Sequence, residues 1–470
     1  MTADAGAEGS APIPVERPSQ AELRGRGLDD HKAGRLDRAF AAYRAVLAAD
    51  PDDAGVWTNL GALLRARGEH RLAVSCQRRA AALKPDDEGV LNNLGNALAD
   101  ADFTDEALAV RRDLARRRPG DRQAQAMLVA SLRAAGRMEQ AVAAADAALA
   151  GTPGDPELRM QRAMALLALG DYARGFADFA ARWDTGEVTR PPAPEPEWRG
   201  GPLTGKRLLV LPEQGLGDTI LMARFLPGLA AFDPAEVVLA VRAPLLRLFR
   251  DLPGVHRLVP ADGPRPSADL HLHMMDLPGR LGARPDALPH SPPLHVPDDS
   301  SARARRLLGP FAGRFKVGVV WSGSVTYRGN HKRSVTPRSF APLSDLPGVQ
   351  LFSLYKGPLL DRFRASADTA LIVEASGTDR DLADAAGMIR GLDLVIGVDT
   401  GVMHLAGALG RPVWNLLAHA PYWLYGTAGE GTPWHPTMRL FRQRAPGDWD
   451  EVMGRVTEAL RAAAAAGEAR

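Results

Sequence analysis

The 470-residue chain is 45% hydrophobic, enough to bury substantial cores, and its length suggests roughly two to four domains. Its 58 basic and 56 acidic side chains leave a net charge of +2, so no basic surplus points to nucleic acid or to an anionic membrane surface. The single cysteine, Cys76, excludes an intramolecular disulfide and a cysteine zinc cluster, and reads as a small packing residue in a helix.

No apolar run reaches the roughly 18 residues of a membrane span, which predicts no transmembrane segment and, with this cysteine usage, a cytoplasmic location. Residues 1–20, rich in Ala, Pro, Glu and Ser, read as a loose, disordered tail rather than a secretory signal. Beyond them Pro51, Pro85, Pro119 and Pro153 recur every 34 residues, as do Ala39, Ala73, Ala107 and Ala141. This is the period of tetratricopeptide repeats, and the array is predicted over residues 21–183. Gly34, Gly68, Gly136 and Gly170 take the turn between the two helices of a unit, with Asp102 in that place in the third. Gly27, Gly61 and Gly95, then Val129, mark a small-residue position where paired helices approach closely. The fifth unit begins at Pro156 and lacks a closing proline; its Phe176, Phe179 and Trp183, at helical spacing, read as packing the array's end onto the next domain. The concave face of such a solenoid predicts a partner surface, with dimerisation as the alternative.

Residues 184–200 hold a run of prolines and predict a stiff linker. From there short apolar runs alternate with helical stretches. Strands are predicted at 208–211, 237–241 and 270–274, with helices at 219–231 and 244–250, giving a first Rossmann-like lobe over 201–295. A second lobe over 296–447 is predicted from strands at 316–321, 350–354, 370–374, 392–398 and 412–417. The last segment, 448–470, reads as a helix. The fold class is therefore an N-terminal α-solenoid followed by α/β lobes.

Two strand-to-helix turns carry the chemistry. Glu213-Gln214-Gly215-Leu216-Gly217-Asp218-Thr219 follows the first strand, and Asp399-Thr400-Gly401 with His404 follows the strand ending near Val398. At the second turn Thr400 is placed to cap the helix, and free backbone N–H groups at a helix start suit an anion. Together the two turns resemble motifs of the heptosyltransferase family, inverting glycosyltransferases of GT-B fold. In that family an Asp-(Ser/Thr)-Gly-x-x-His-Leu-Ala sequence, matched here from Asp399 to Ala406, holds the sugar-nucleotide diphosphate. The resemblance covers roughly residues 200–460, and it implies a nucleotide-diphosphate sugar as donor substrate, no metal and no other cofactor. It also implies that the closing helix crosses back to the first lobe.

By that resemblance Asp218, after the turn glycines Gly215 and Gly217, is the base that takes the acceptor proton; otherwise it is the cap of the helix that follows, and the helix dipole makes it a weaker base. Positive charge for the leaving diphosphate comes from Lys332 or Arg333, in the loop after Ser322, or that pair is a solvated surface patch. His404 and Lys356 complete the donor candidates. Asp448 and Asp450 open the last helix and read as caps rather than as a metal site. The leading expectation is transfer of a sugar to a protein acceptor held by residues 20–183. That layout, repeats joined to a GT-B domain, resembles O-linked N-acetylglucosamine transferases. The alternatives are a lipopolysaccharide or capsule transferase and a non-catalytic repeat scaffold.

Overall fold

The computed structural model describes residues 18–466, so the expected tail lies outside the described residues up to position 17. The repeats form helices α1 (Gln20–Lys32), α2 (Leu36–Ala49), α3 (Ala54–Ala66), α4 (His70–Leu83), α5 (Glu88–Asp100) and α6 (Thr104–Arg117). They continue as α7 (Arg122–Ala134), α8 (Met138–Gly151), α9 (Pro156–Ala168) and α10 (Tyr172–Phe179). Side-chain size explains their pairing. A Cβ on Gly27 would fall 2.7 Å from Tyr43, one on Gly61 2.4 Å from Gln77, and one on Gly95 2.8 Å from Arg111. Each glycine of a first helix thus receives a large residue of the second. In the fourth unit the sizes are exchanged, with Val129 and Ala145 both fully buried. The turn glycines Gly34, Gly68, Gly136 and Gly170 have positive φ, and Asp102 adopts the same conformation at 62°. Cys76 is buried in α4, and burial pushes its thiol up to about 11, which suits packing rather than reactivity.

The chain divides into two compact units between Leu114 and Ala115. The boundary falls inside the repeat array: α7 to α10 belong to the same unit as the α/β half. The aromatics of the last repeat pack as expected. Tyr172 and Phe176 lie edge-on to Trp423, with ring centroids 6.1 and 5.7 Å away, and Trp434 Nε1 donates to Tyr172 Oη at 2.8 Å. Just beyond, the buried Arg182 pairs two-pronged with Glu213 at 2.6 and 2.7 Å and reaches Asp276 at 2.9 Å. The proline-rich stretch is not a free linker. Trp198 N–H donates to the His271 carbonyl and His271 N–H to that of Pro196, so residues 196–198 pair with the edge of the first sheet, and Trp198 is buried. Prolines at alternate positions leave the intervening N–H groups and the carbonyls to make this pairing.

The first sheet has β1 (Arg207–Leu211), β2 (Glu236–Val241), β3 (Arg257–Pro260) and β4 (Leu270–His273) in the order β3-β2-β1-β4. The second has β5 (Phe315–Val320), β6 (Val349–Ser353), β7 (Ile372–Glu374), β8 (Leu394–Val398), β9 (Val413–Leu417) and β10 (Met438–Arg442) in the order β10-β9-β8-β5-β6-β7. All pairings in both are parallel. Continuous apolar runs such as Leu208-Leu209-Val210 and Leu394-Val395-Ile396 suit strands covered on both faces. The architecture is a tetratricopeptide solenoid followed by a GT-B-like pair of parallel-sheet lobes.

Between the strands lie α11 (Leu216–Met222), α12 (Leu277–Arg280), α13 (Asp298–Leu308), α14 (Asn330–Arg333), α15 (Ala341–Ser344), α16 (Leu360–Arg364), α17 (Leu382–Arg390) and α18 (Gly401–Ala408). The helix expected over 219–231 is shorter: α11 ends at Met222 and a 3-10 segment holding Pro227 continues, because proline cannot donate to the helical ladder. The segment expected as helix over 244–250 is a 3-10 turn at Ala243–Leu245 followed by further turns. The last helix, α19 (Trp449–Ala466), does not use its apolar face on the first lobe. Its Val452, Met453, Val456 and Leu460 join the core of the second lobe with Phe340, Leu343 and Phe441.

Arg182→Met would strand the Glu213 and Asp276 carboxylates in a site where the Arg182 side chain is only 2% exposed. The expected cost is about 3–5 kcal/mol, since removing one partner leaves buried charge uncompensated. Denaturant unfolding measures it; a loss below about 1 kcal/mol would show that the array's end does not anchor the first turn.

Candidate functional site

In each sheet the strand order reverses at one place: between β1 and β4 in the first, between β5 and β8 in the second. Open α/β sheets bind ligands outside the carboxyl ends of strands at such switch points. The Glu213–Asp218 turn leaves β1, the Ser322–Arg333 loop leaves β5 and the Asp399–Gly401 turn leaves β8, so three of the predicted segments start at those points.

The two motif turns touch. A Cβ on Gly217 would fall 2.6 Å from Gly401 Cα and 3.1 Å from the His404 ring, and one on Gly401 would fall 3.2 Å from the Gly217 backbone. Only glycine at both positions lets the starts of α11 and α18 approach this closely.

Asp218 Oδ2 accepts from the Gly215 N–H at 2.9 Å, so it does cap the start of α11. Burial nevertheless raises its pKa; His404 and the Gly215 N–H oppose that, and the nearby Asp399 charge adds to it. The cap therefore does not make Asp218 a weak base, because desolvation outweighs the donor. Asp399 accepts from the Tyr425 hydroxyl and lies 4.0 Å from both Arg333 Nη1 and His404 Nε2. His404 is buried, and its Nδ1 lies 3.2 Å from His435 Nε2. Burial lowers the pKa of His404 and drives that of His435 well down, so both rings are neutral at physiological pH.

Thr400 is the residue before α18, but its side chain makes no capping bond, contrary to expectation. Its Oγ1 is shielded from solvent and has no partner. The first N–H groups of α18, at Gly401 and Val402, have no intrahelical acceptor by construction. An orphaned hydroxyl and free N–H groups therefore sit together at the helix start.

Arg333 reaches this place. Its guanidinium lies over Gly323, 4.8 Å from the centre of the Tyr327 ring and hydrogen-bonded through Nε to Asn330. Lys332 is its neighbour on the short α14. Ser322 Oγ is already engaged, accepting from Asn330 Nδ2 at 3.0 Å and Ser334 Oγ at 3.2 Å, so it ties the basic loop to the end of β5. Lys356 goes elsewhere, with its ammonium donating to the Asp379 carbonyl. Asp448 Oδ1 accepts from the Glu451 N–H at 3.2 Å and caps α19. Among the described residues no group of three or more His, Cys, Asp or Glu side chains could hold a metal ion.

Sequence reading missed Tyr422, Tyr425 and His435. Burial first, then the charges of Asp218, Asp399 and Glu213, hold the Tyr422 phenol well above its usual range. The signal was available: this aromatic segment follows β9, at the same carboxyl edge of the sheet. Arg182, which fixes Glu213, had no signal beyond lying among aromatics.

Comparison with known proteins gives a consistent pattern. Residues 378–425 match the model of glycosyltransferase family 9 (heptosyltransferase), a stretch that includes Asp399, His404 and Tyr425. Residues 54–87 match a tetratricopeptide repeat model. Protein FlbA of Caulobacter vibrioides is 32% identical over 329 residues, covering 64% of this chain and 54% of that protein. The chain thus spans about half the length of that curated relative. Among solved structures, MamA MSR-1 is similar at 23% identity, covering 34% of this chain and 93% of its own, with a TM-score of 0.31. A MamA fragment from Desulfovibrio magneticus RS-1 is similar at 16% identity, covering 34% of this chain and 91% of its own, with a TM-score of 0.32. No helix of the described residues is long and apolar enough to cross a membrane.

Proposed function

We propose that this chain, a tetratricopeptide-repeat protein with a heptosyltransferase-like glycosyltransferase domain, transfers a sugar from a nucleotide-diphosphate sugar to a protein acceptor recruited by the repeats within residues 20–183. One observation carries the reading: the Gly217–Gly401 contact, which sets a base-competent carboxylate against a helix start with an orphaned hydroxyl. Asp218 takes the acceptor proton as the acceptor oxygen attacks the sugar carbon from the face opposite the diphosphate, which inverts that centre. The leaving diphosphate is met by Arg333, by the N–H groups of Gly401 and Val402 and by the Thr400 hydroxyl. A carboxylate is a poor host for a phosphate, so Asp399 acts by holding Tyr425 and balancing Arg333. Neutral His404 contributes a hydrogen bond rather than charge. Ser322 and Lys332 support the basic loop, and no divalent cation takes part.

A transfer assay with a panel of nucleotide sugars tests the chemistry. Asp218→Asn should lower turnover by about 10²–10⁴-fold with donor binding intact, since a carboxamide accepts no proton. The wild-type rate should fall with decreasing pH through a pKa above the ordinary carboxylate value, because the protonated acid is no base and burial raises that pKa. Chelator should leave the rate unchanged; strict Mn²⁺ or Mg²⁺ dependence would contradict the site.

The repeats are tested by a deletion that respects the packing. Removing residues 1–183 would expose Trp423 and Trp434 and strand Glu213, so the informative truncation ends at residue 114, where the first compact unit ends. It should keep donor binding and lose modification of the natural protein acceptor, because tethering supplies local concentration rather than contacts at the reacting centre. Full-rate modification by the truncated protein would remove the recruiting role from those repeats.

A further inference from the structure

His404 and His435 meet inside the second lobe. Their ring centroids are 5.4 Å apart, with His404 Nδ1 3.2 Å from His435 Nε2, and both side chains are buried. A Cβ on Gly407, in the last turn of α18, would fall 2.5 Å from the His435 ring, so glycine there lets His435 reach the helix that carries His404. Trp434, the residue before it, is fixed by its bond to Tyr172. The other edge of the His404 ring faces the motif turns. Its Nε2 lies 4.0 Å from Asp399 Oδ1, and its Cδ2 lies 3.1 Å from the place a Gly217 Cβ would take. The ring is parallel to that of Tyr425, whose hydroxyl donates to the same Asp399 oxygen.

Two neutral imidazoles hold one proton in the gap between them, and their surroundings decide which ring supplies it. If His404 donated from Nδ1, its bare Nε2 lone pair would face the Asp399 carboxylate. The His435 proton would then sit on Nδ1, a nitrogen shielded from solvent and without a partner, so a buried donor would also go unmet. With the direction reversed, His435 Nε2–H donates to His404 Nδ1, and His404 carries its own proton on Nε2, toward Asp399 and the turns. Only the His435 Nδ1 lone pair is then left without a partner. The reversed direction removes the repulsion at Asp399 and the orphaned N–H together.

We propose that His435 is a positioning residue of the donor site: its Nε2–H holds His404 as the Nε2–H tautomer, so that the ring edge facing the two motif turns presents a hydrogen-bond donor to an oxygen of the nucleotide diphosphate. This rests on the donor-site reading above. It gives the direction of the His404 hydrogen bond, and it traces that direction through His435 and Trp434 to Tyr172 in the last repeat.

Two measurements on the full chain test it. Long-range proton–nitrogen correlation spectra of the ligand-free, histidine-labelled protein, assigned with His404→Gln and His435→Gln, should show His404 protonated on Nε2 and bare on Nδ1. Calorimetric titration with ADP, GDP, UDP and CDP and their nucleosides should show His435→Leu binding the preferred diphosphate about tenfold more weakly than wild type, with the nucleoside unaffected. His435→Gln, whose amide can still donate to Nδ1, should recover most of that loss. A proton on His404 Nδ1 in the wild-type spectra overturns the inference, whatever the variants do. So does wild-type diphosphate affinity in His435→Leu. Equal losses for diphosphate and nucleoside, with no recovery in His435→Gln, make His435 a packing residue and also overturn it. Failure of the wild-type chain to bind any of the four diphosphates, with His404 protonated on Nε2, would instead sink the donor-site reading and leave the tautomer assignment standing.

Discussion

The backbones of Gly217 and Gly401 lie against each other, and the chemistry assembled around them depends on that approach. Both positions start helices that leave parallel strands, and neither tolerates a Cβ without displacing the opposite backbone. Because the turns touch, Asp218 and His404 are desolvated side by side, with the Asp399 carboxylate acting on both. Burial raises Asp218 and neutralises His404 by the same cause acting on opposite charge types. A carboxyl with raised basicity beside a neutral imidazole and free helix N–H groups is an arrangement that can take a proton and receive an anion together.

The end of the repeat array buttresses this arrangement. Arg182 holds Glu213, the first residue of the Asp218 turn, and the Tyr172–Trp434 hydrogen bond ties the last repeat to the segment that supplies Tyr425 and His435. The array is thus divided by its packing rather than by its period. Up to Leu114 it is a unit of its own, and beyond that it is part of the body that carries the candidate site.

This explains which features could be read from the sequence. The 34-residue period runs unbroken along the array, so helices and turns were legible while the boundary at Leu114 was not; the exchange of sizes from Gly95 to Val129 beyond it marks a change of packing, not of period. Buried parallel strands announce themselves as apolar runs, but β3 does not, because Arg257 and Pro260 at its ends are exposed and it pairs only with β2. Proline density at 184–200 suggested a linker, although alternate N–H groups remained free to pair with His271. Thr400 had the chemistry of a cap, yet its hydroxyl is shielded from solvent and makes no capping bond. Arg182 was invisible because its role comes from the Glu213 turn and Asp276, which the fold brings to it, not from its neighbours in the chain.

The most direct measurement is calorimetric titration of nucleoside diphosphates into the full-length protein and into Gly217→Ala, with melting curves to confirm that the variant folds. Gly217 belongs to the first lobe, and the added methyl would press on Gly401 in the second without removing any polar group. If the touching turns form one donor site, wild type binds at least one nucleoside diphosphate and the folded variant binds it about tenfold or more weakly. Equal affinity in the two proteins, or no binding by wild type, would contradict that claim.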